Sequence, residues 1–410
     1  MVPQLYKKNA MQLMKLLHTF LKKECPNVHK LRLKNLIDSC KTLIGTNRLS
    51  VTGIGRNLPG KVQERSNIRK MDRLVSNKHL ANEIVYFYQA MNQYLLPTSG
   101  DVWIHVDWTC LSSTHNQYLL RASLTMQGRA IVIYEEPHDK KSENNHSVHK
   151  KFLNNLKLIL PEKISPIIVA DAGFRAPWFA HVLSLGWHFV GRLRNKNAML
   201  IEGQNQWQLS NSLFQKASSK PQYMGHALLT EKGKTPVEVV LYKALSKNRH
   251  KQNINGKPSC SGNSKKYSKA HKEPWVLVTS LALAKKQPSM IVNIYKQRMR
   301  IEENFRDTKC KRYGFGLDDS LSQSPRRFRV LLLIAAIANY AAWLSGLFIK
   351  AKGTASHFQA QSASTTNALS TVFLGKRALK KGFRLGKRQF QLLLKSLNMI
   401  NATAQVESGL

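Results

Sequence analysis

The chain has 410 residues, long enough for two or three domains, and 42% of them are apolar, which excludes a disordered protein. Against 64 Lys and Arg stand only 23 Asp and Glu, a formal charge of +41. So much like charge in a folded chain calls for a polyanionic partner, and nucleic acid leads over an anionic membrane surface or a ribosomal setting.

Five cysteines (Cys25, Cys40, Cys110, Cys260, Cys310) are scattered, odd in number and without a C-x-x-C pair. That argues against a disulfide framework and a structural zinc site, and fits a reducing cytosol. The opening MVPQLYKKNAMQLMKLLHTFLKKE reads as an amphipathic helix carrying lysines throughout, without the apolar core of a signal peptide. Residues 1–98 are predicted all-helical, with leucine-rich periodic stretches near 4–23, 29–44 and 79–96. Between them Gly53, Gly55, Pro59 and Gly60 punctuate short helical pieces. This region holds 17 Lys and Arg against 5 Asp and Glu, which suits a helix-turn-helix-like DNA reader with Arg56, Arg69, Lys70 and Arg73 as candidate contacts. A plain helical bundle with a wet basic face remains the alternative.

From Asp101 the pattern turns to strands: VWIHVDW, YLLRASLTM and AIVIYEE, in antiparallel order. A polar helix near 142–160, a buried strand PIIVA ending at Asp171, a helix near 177–185 and the strand WHFVGRLR follow. Three strands, then strands alternating with helices, predict an α/β protein with an RNase H-like catalytic core over 99–320, a mixed sheet flanked by helices. After Arg194 a β-rich insertion occupies about 195–285, including a polar stretch from Lys243 to Lys272 with eight lysines and no acid. Residues 287–309 are predicted to be one strong helix, and 321–410 a helical C-terminal domain. VLLLIAAIANYAAWLSGLF, Val330 to Phe348, carries no charge over 19 residues; a buried helix is expected, with a membrane span as the alternative.

In a chain so poor in acids, carboxylates at strand ends are informative. Asp107 closes VWIHVDWT and Asp171 closes PIIVADAGF, where an open sheet presents its functional edge. Taken singly, each also reads as a turn former or helix cap. Along IYKQRMRIEENFRDTK, Ile294 to Lys309, a continuous helix would place Tyr295, Arg298, Glu302, Arg306 and Lys309 within about 80° of one another. Ile294, Ile301 and Phe305 form a separate apolar stripe, and Glu303 points off both, expected to be solvated. Glu302 is therefore the placed acid, although i,i+4 pairing with Arg298 and Arg306 would also account for it. Hard divalent cations prefer carboxylate oxygen, and Asp107, Asp171 and Glu302 suit two-metal phosphodiester chemistry. Arg298 and Lys309 would then grip phosphate.

Tyr295-x2-Arg298-x3-Glu302-x6-Lys309, with VDWT, ADAGF, EPWVL and GRNLP, resembles the insertion-sequence-four family of bacterial DDE transposases over nearly the whole chain. The resemblance implies Asp107, Asp171 and Glu302 as catalytic metal ligands for two Mg²⁺ ions, with Mn²⁺ able to substitute. It implies DNA contacts at Tyr295, Arg298 and Lys309; Arg306, on the same polar face of the expected helix, is a further candidate contact. Trp275 stands where the family stacks a flipped base during hairpin formation, against its reading as a core residue. Met299 reads as a wedge or as packing. The implied partners are transposon-end and target DNA and a second subunit in the DNA complex, with no membrane and no small-molecule substrate. The implied setting is the bacterial cytoplasm, with the nucleoid. A structure-selective nuclease of the same fold and a non-catalytic basic DNA-binding protein are the rival readings.

Overall fold

Alternation along IHVDWT decides the first sheet: His105, Asp107 and Thr109 face one side, Ile104 and Val106 the other. The computed structural model describes residues 3–112, 116–126, 129–194, 197–245, 262, 273–312, 314–359 and 369–407. Most of the lysine-rich stretch, 246–261 and 263–272, lies outside the described residues. The chain forms two compact units, one of Met1–Ile164 with Met299–Glu407 and the other of Ser165–Arg298.

The first unit opens with helices α1 (Pro3–Glu24), α2 (Lys30–Thr46), α3 (Val51–Gly55), α4 (Glu64–Val75) and α5 (Lys78–Leu95). Their ends are set by polar caps: the Ser50 hydroxyl accepts from the Gly53 N–H at 3.0 Å, and Asn77 from the Leu80 N–H at 2.9 Å. Then come β1 (Gly100–Ser112), β2 (Gln117–Met126) and β3 (Arg129–Asp139), an antiparallel meander in the order β3-β2-β1. Its register pairs Asp107 with Arg121 and Arg121 with Glu135, so all three side chains share a face. Helix α6 (His146–Ile159) follows, capped by the Asn145 side chain.

The second unit is a mixed sheet in the order β4-β5-β10-β9-β8-β6-β7. β4 (Ile164–Ala170) and β5 (His188–Leu193) are parallel, joined through α7 (Ala176–Ser184), while β6 (Ala198–Ile201), β7 (Gln208–Leu209), β8 (Gln222–Leu229), β9 (Thr235–Tyr242) and β10 (Trp275–Thr279) add antiparallel strands. Gly191 in β5 leaves room for Phe179 of α7, whose ring would stand 2.4 Å from any Cβ there. Helix α8 (Pro288–Lys296) begins on Pro288. The order β1-β2-β3-α6-β4-α7-β5 is that of an RNase H-like core, and the α/β class expected from the sequence is the one observed.

One expectation fails. The helix drawn across 287–309 is two helices: α8 stops at Lys296, Gln297 and Arg298 form a turn, and α9 (Met299–Lys309) begins afresh. The single helical wheel joining Tyr295 and Arg298 to Glu302 therefore does not apply. Periodicity alone misses the break, because the turn contains neither glycine nor proline to announce it.

Returning to the first unit, α10 (Pro325–Ala351), α11 (Thr371–Lys380) and α12 (Lys387–Glu407) complete the chain. Every residue of α10 from Val330 to Leu347 is buried, packed among α2, α4, α5, α11 and β3. Its uncharged length is thus the spine of a helical core rather than a lipid-facing span. α10 and α11 touch backbone to backbone: a Cβ on Gly375 would meet the Ala342 carbonyl oxygen at 1.7 Å, and one on Gly346 the Thr371 oxygen at 1.9 Å. Gly375→Ala should destabilise the unit by about 3 kcal/mol, the upper end for overpacking, since the obstacle is backbone and cannot rotate away. Urea denaturation checks this, and a midpoint equal to wild type would contradict the crossing.

Candidate active site

The polar face of the β1-β2-β3 meander is covered by α9, and Arg121 joins the two. Only 1% exposed, its guanidinium donates from Nε and Nη2 to Glu135 Oε2 at 2.7 and 2.6 Å. Nη1 donates to Asn304 Oδ1 at 2.6 Å and Nη2 to the Thr308 hydroxyl at 3.2 Å, while the Phe305 ring lies 5.0 Å away. Glu135 Oε1 accepts from the Tyr88 hydroxyl at 2.9 Å, and burial, then Glu135, holds that phenol's pKa well above its usual range. The Asn304 amide donates to the Ala130 carbonyl at 2.9 Å.

This seat fixes which way α9 turns its other sides. On one flank Arg129, at the start of β3, meets Glu303 at 2.7 Å and Asp307 at 2.9 Å. Burial raises the Asp307 pKa against the pull of Arg129 and of Lys376, itself buried and lowered to about 8. Glu303 was expected to be solvated; it is instead half-exposed and ion-paired, because the flank of α9 it occupies runs beside Arg129. On the opposite flank lie Glu302, Arg306 and Lys309. Glu302 and Arg306 are exposed, and the Lys309 ammonium donates to the Thr109 hydroxyl at 3.4 Å. Thr109 is two residues beyond Asp107 on the same face of β1. The unit thus places Glu302 on the side of α9 that borders Asp107's strand.

Asp107 is 8% exposed, and its Oδ1 accepts from the Trp108 N–H at 2.8 Å. The Trp108 indole donates to His149 Nε2 at 3.0 Å. Burial, then the neighbouring His146 and His138, pulls the His149 pKa down to about 4, so a neutral imidazole accepts that bond. Asp171 belongs to the second unit, one residue past β4, where its Oδ1 accepts from the Gly173 N–H at 2.7 Å in an Asx turn. The same unit holds Tyr295 and Trp275, whose ring centroids are 5.0 Å apart edge-on, with Tyr242 5.6 Å from Trp275. Cations surround these rings: Arg192 over Trp275 at 6.0 Å, Lys296 over Tyr242 at 5.0 Å and Arg298 over Tyr295 at 5.9 Å. Met299 opens α9 and is 49% exposed, so its side chain is not core packing.

In the N-terminal helices Arg69 and Arg73 are exposed on α4, with Lys70 half-buried beside them, and Arg56 pairs with Glu64 at 2.9 Å. Arg65 is exposed too and completes an i,i+4,i+8 row with Arg69 and Arg73, a spacing visible in RSNIRKMDR. Sequence reasoning also missed Arg121, Glu135, Asn304 and Thr308. The signals were an arginine inside an otherwise apolar strand, and two small polar residues four apart on the buried side of a helix.

Among the described residues, no three His, Cys, Asp or Glu side chains stand together as a metal site. The donors that Asp107, Glu302 and Asp171 offer are nevertheless hard carboxylate oxygens, and His105 beside Asp107 is buried and turned to the Thr125 hydroxyl at 3.2 Å. Carboxylate oxygens of this kind suit Mg²⁺, which takes one or two carboxylates and fills the rest of its shell with water and phosphate.

A family model described as the transposase DDE domain matches residues 99–339, a span that contains all three carboxylates. The chain belongs to the transposase DDE domain family. Among solved structures, this DDE transposase is similar to a piggyBac transposase synaptic complex with hairpin DNA, at 11% identity and a TM-score of 0.40, over 99% of this chain and 80% of that one. No curated protein matches its sequence.

The buried His149 makes a pH test of the fold beside Asp107. The unfolded chain protonates this histidine near pH 6.5, whereas the folded one resists until about 4. In that window the unfolded state binds more protons, so stability rises with pH and is lost as pH falls from about 6.5 towards 4. Denaturant midpoints for His149→Gln should fall less over that window than those of wild type; equal slopes would contradict a buried neutral imidazole.

Proposed function

We propose that this DDE transposase is a cut-and-paste enzyme of the insertion-sequence-four type, nearest in its motifs to the transposase of transposon ten. The observation that supports it most is the shared flank of α9, where Glu302 and Lys309 lie together and Lys309 reaches Thr109, two residues from Asp107. Asp107, Asp171 and Glu302 form the catalytic triad and would hold two Mg²⁺ ions, or Mn²⁺ in their place. When bound, these would supply Lewis acidity at the scissile phosphate and lower the pKa of an attacking hydroxyl or water.

Water first cleaves one strand at the transposon end, releasing a 3′-hydroxyl. That hydroxyl attacks the opposite strand, displacing the flanking DNA and closing a hairpin on the transposon end. A second water opens the hairpin, and the freed 3′-hydroxyl attacks a target phosphodiester. Lys309, Arg306 and Arg298 grip the phosphates on either side of the bond, while Tyr295, expected from the sequence to touch DNA, is only 4% exposed and supports the Trp275 ring instead. Trp275 receives a base flipped out of the bent strand, with Tyr242, Tyr295 and Arg192 bracing its ring. Met299, exposed beside Arg298, wedges into the space the base leaves. Helix α4, with Arg65, Arg69, Lys70 and Arg73, and Arg56 before it contribute to recognition of the end sequence. Two copies act together in the DNA complex, in the bacterial cytoplasm at the nucleoid.

Glu302→Ala should bind end DNA normally and lose Mg²⁺-dependent nicking by at least a thousandfold; retained cleavage would sink the triad. Glu303→Ala serves as the control. Arg129 keeps Asp307 as its partner and the lost pair is half-exposed, so a cost of at most about 1 kcal/mol and near-normal cleavage are expected. In gel assays Trp275→Ala should nick the first strand at the normal rate and accumulate few hairpins. Equal loss of both steps would assign the tryptophan to folding instead.

A further inference from the structure

We infer that Arg121 is a positioning residue for Glu302: a buried guanidinium that sets the rotation of α9 about its own axis. The inference rests on the catalytic reading of Glu302 given above. In a chain with 64 Lys and Arg, most basic side chains are candidates for DNA. Arg121 is not among them, since at 1% exposure it cannot touch a phosphate. All three of its nitrogens are engaged within the unit. Nε and Nη2 meet Glu135 on β3, which cancels the charge, and Nη1 and Nη2 reach Asn304 and Thr308 on α9. A structural ion pair would need only Glu135; the reach across to the helix is what the pair alone does not explain.

The geometry of that reach is specific. Asn304 and Thr308 are four residues apart, so they mark one line along α9, and a planar fork contacts both at once. Glu302 projects from the helix well round from that line, on the flank of Lys309. Fixing the line fixes the direction of Glu302. The opposite flank carries a second guanidinium, Arg129, between Glu303 and Asp307, and Arg300 donates to the Met126 carbonyl at 3.2 Å. The two residues before Met299, Gln297 and Arg298, are polar and form a turn, so α9 starts afresh rather than continuing from α8. Its rotation therefore depends on these polar contacts together with Ile301 and Phe305. A carboxylate stands roughly 6 Å from the helix axis, so a rotation of about 20° carries it on the order of 2 Å. Misplacing a reacting group by 1 Å can cost about a hundredfold in rate.

The test uses the full chain with Thr308→Val, which keeps the shape and removes one acceptor of Arg121, and Arg121→Lys, which keeps the charge and loses the fork. Three readouts are taken well below the melting temperature: Kd for end DNA, the first-strand nicking rate at saturating DNA, and Mn²⁺ binding to the protein by electron paramagnetic resonance. Expected are an unchanged Kd, nicking slowed at least tenfold in Arg121→Lys and several-fold in Thr308→Val, and weakened Mn²⁺ binding in both. Thr308→Ser, which restores the hydroxyl, should recover wild-type values. Should Arg121→Lys fail to fold, the Thr308 pair decides alone. Folded variants with wild-type nicking and Mn²⁺ binding would overturn the inference, as would a loss of DNA affinity and nicking together with Mn²⁺ binding intact. A wild-type chain that never nicks, or a Glu302→Ala variant that nicks normally, would instead overturn the catalytic reading and leave a visibly different record.

Discussion

The contact on which the first unit depends is the ion pair of Arg121 and Glu135, sealed between the sheet and α9. Taking two charges out of water is costly, and such a pair persists only when the remaining donors and acceptors are satisfied. Here Tyr88 closes the second oxygen of Glu135, and Asn304 and Thr308 take the remaining guanidinium protons. Because these partners come from α5, β2, β3 and α9, no one of those elements can shift without leaving a buried charge short of a partner. An apolar core of the same volume would hold as well, but it would let a helix slide or roll. The polar seat exchanges that tolerance for one orientation.

From that seat the rest of the unit can be followed outwards. β1 lies beside β2 with Asp107 opposite Arg121, so the strand of Asp107 takes its register from the buried arginine's strand. On the far side of the polar layer, α10 supplies the apolar bulk against which β3 and the N-terminal helices rest. The second unit is organised differently, around a parallel pair of strands and an antiparallel extension whose edge aromatics, Tyr242 and Trp275, are cross-strand partners. Its polar chemistry is cationic and aromatic where that of the first unit is carboxylate and amide.

Much of this was legible beforehand, and the reasons differ by residue. The strand end at Asp171 followed from a short β-branched run that stops at an acid, whereas Asp107, read as closing its strand, lies inside β1, because pairing with β2 carries that strand on to Ser112. The uncharged run of α10 had only two destinations, lipid or protein core, and it is fully buried. Glu302 does lie on the Lys309 flank of α9, yet part of the wheel that placed it there crossed a helix break at Gln297–Arg298. Glu303 was read as solvated because a wheel shows the direction of a side chain, not what another strand brings to meet it. Arg121 escaped notice for the same reason: its partners are 14 and 183 positions away in sequence, and nothing local announces them.

The burial of Arg121 and Glu135 has a consequence for the protein in salt. Its exposed pairs, such as Arg56 with Glu64, lie within reach of mobile ions and fade as ionic strength rises, as does any grip on a DNA backbone. The pair beneath α9 has side chains exposed by only 1% and 2%, and dissolved ions do not reach it. Brine strong enough to strip a polyanion from a chain of charge +41 therefore leaves the carrier of Glu302 seated.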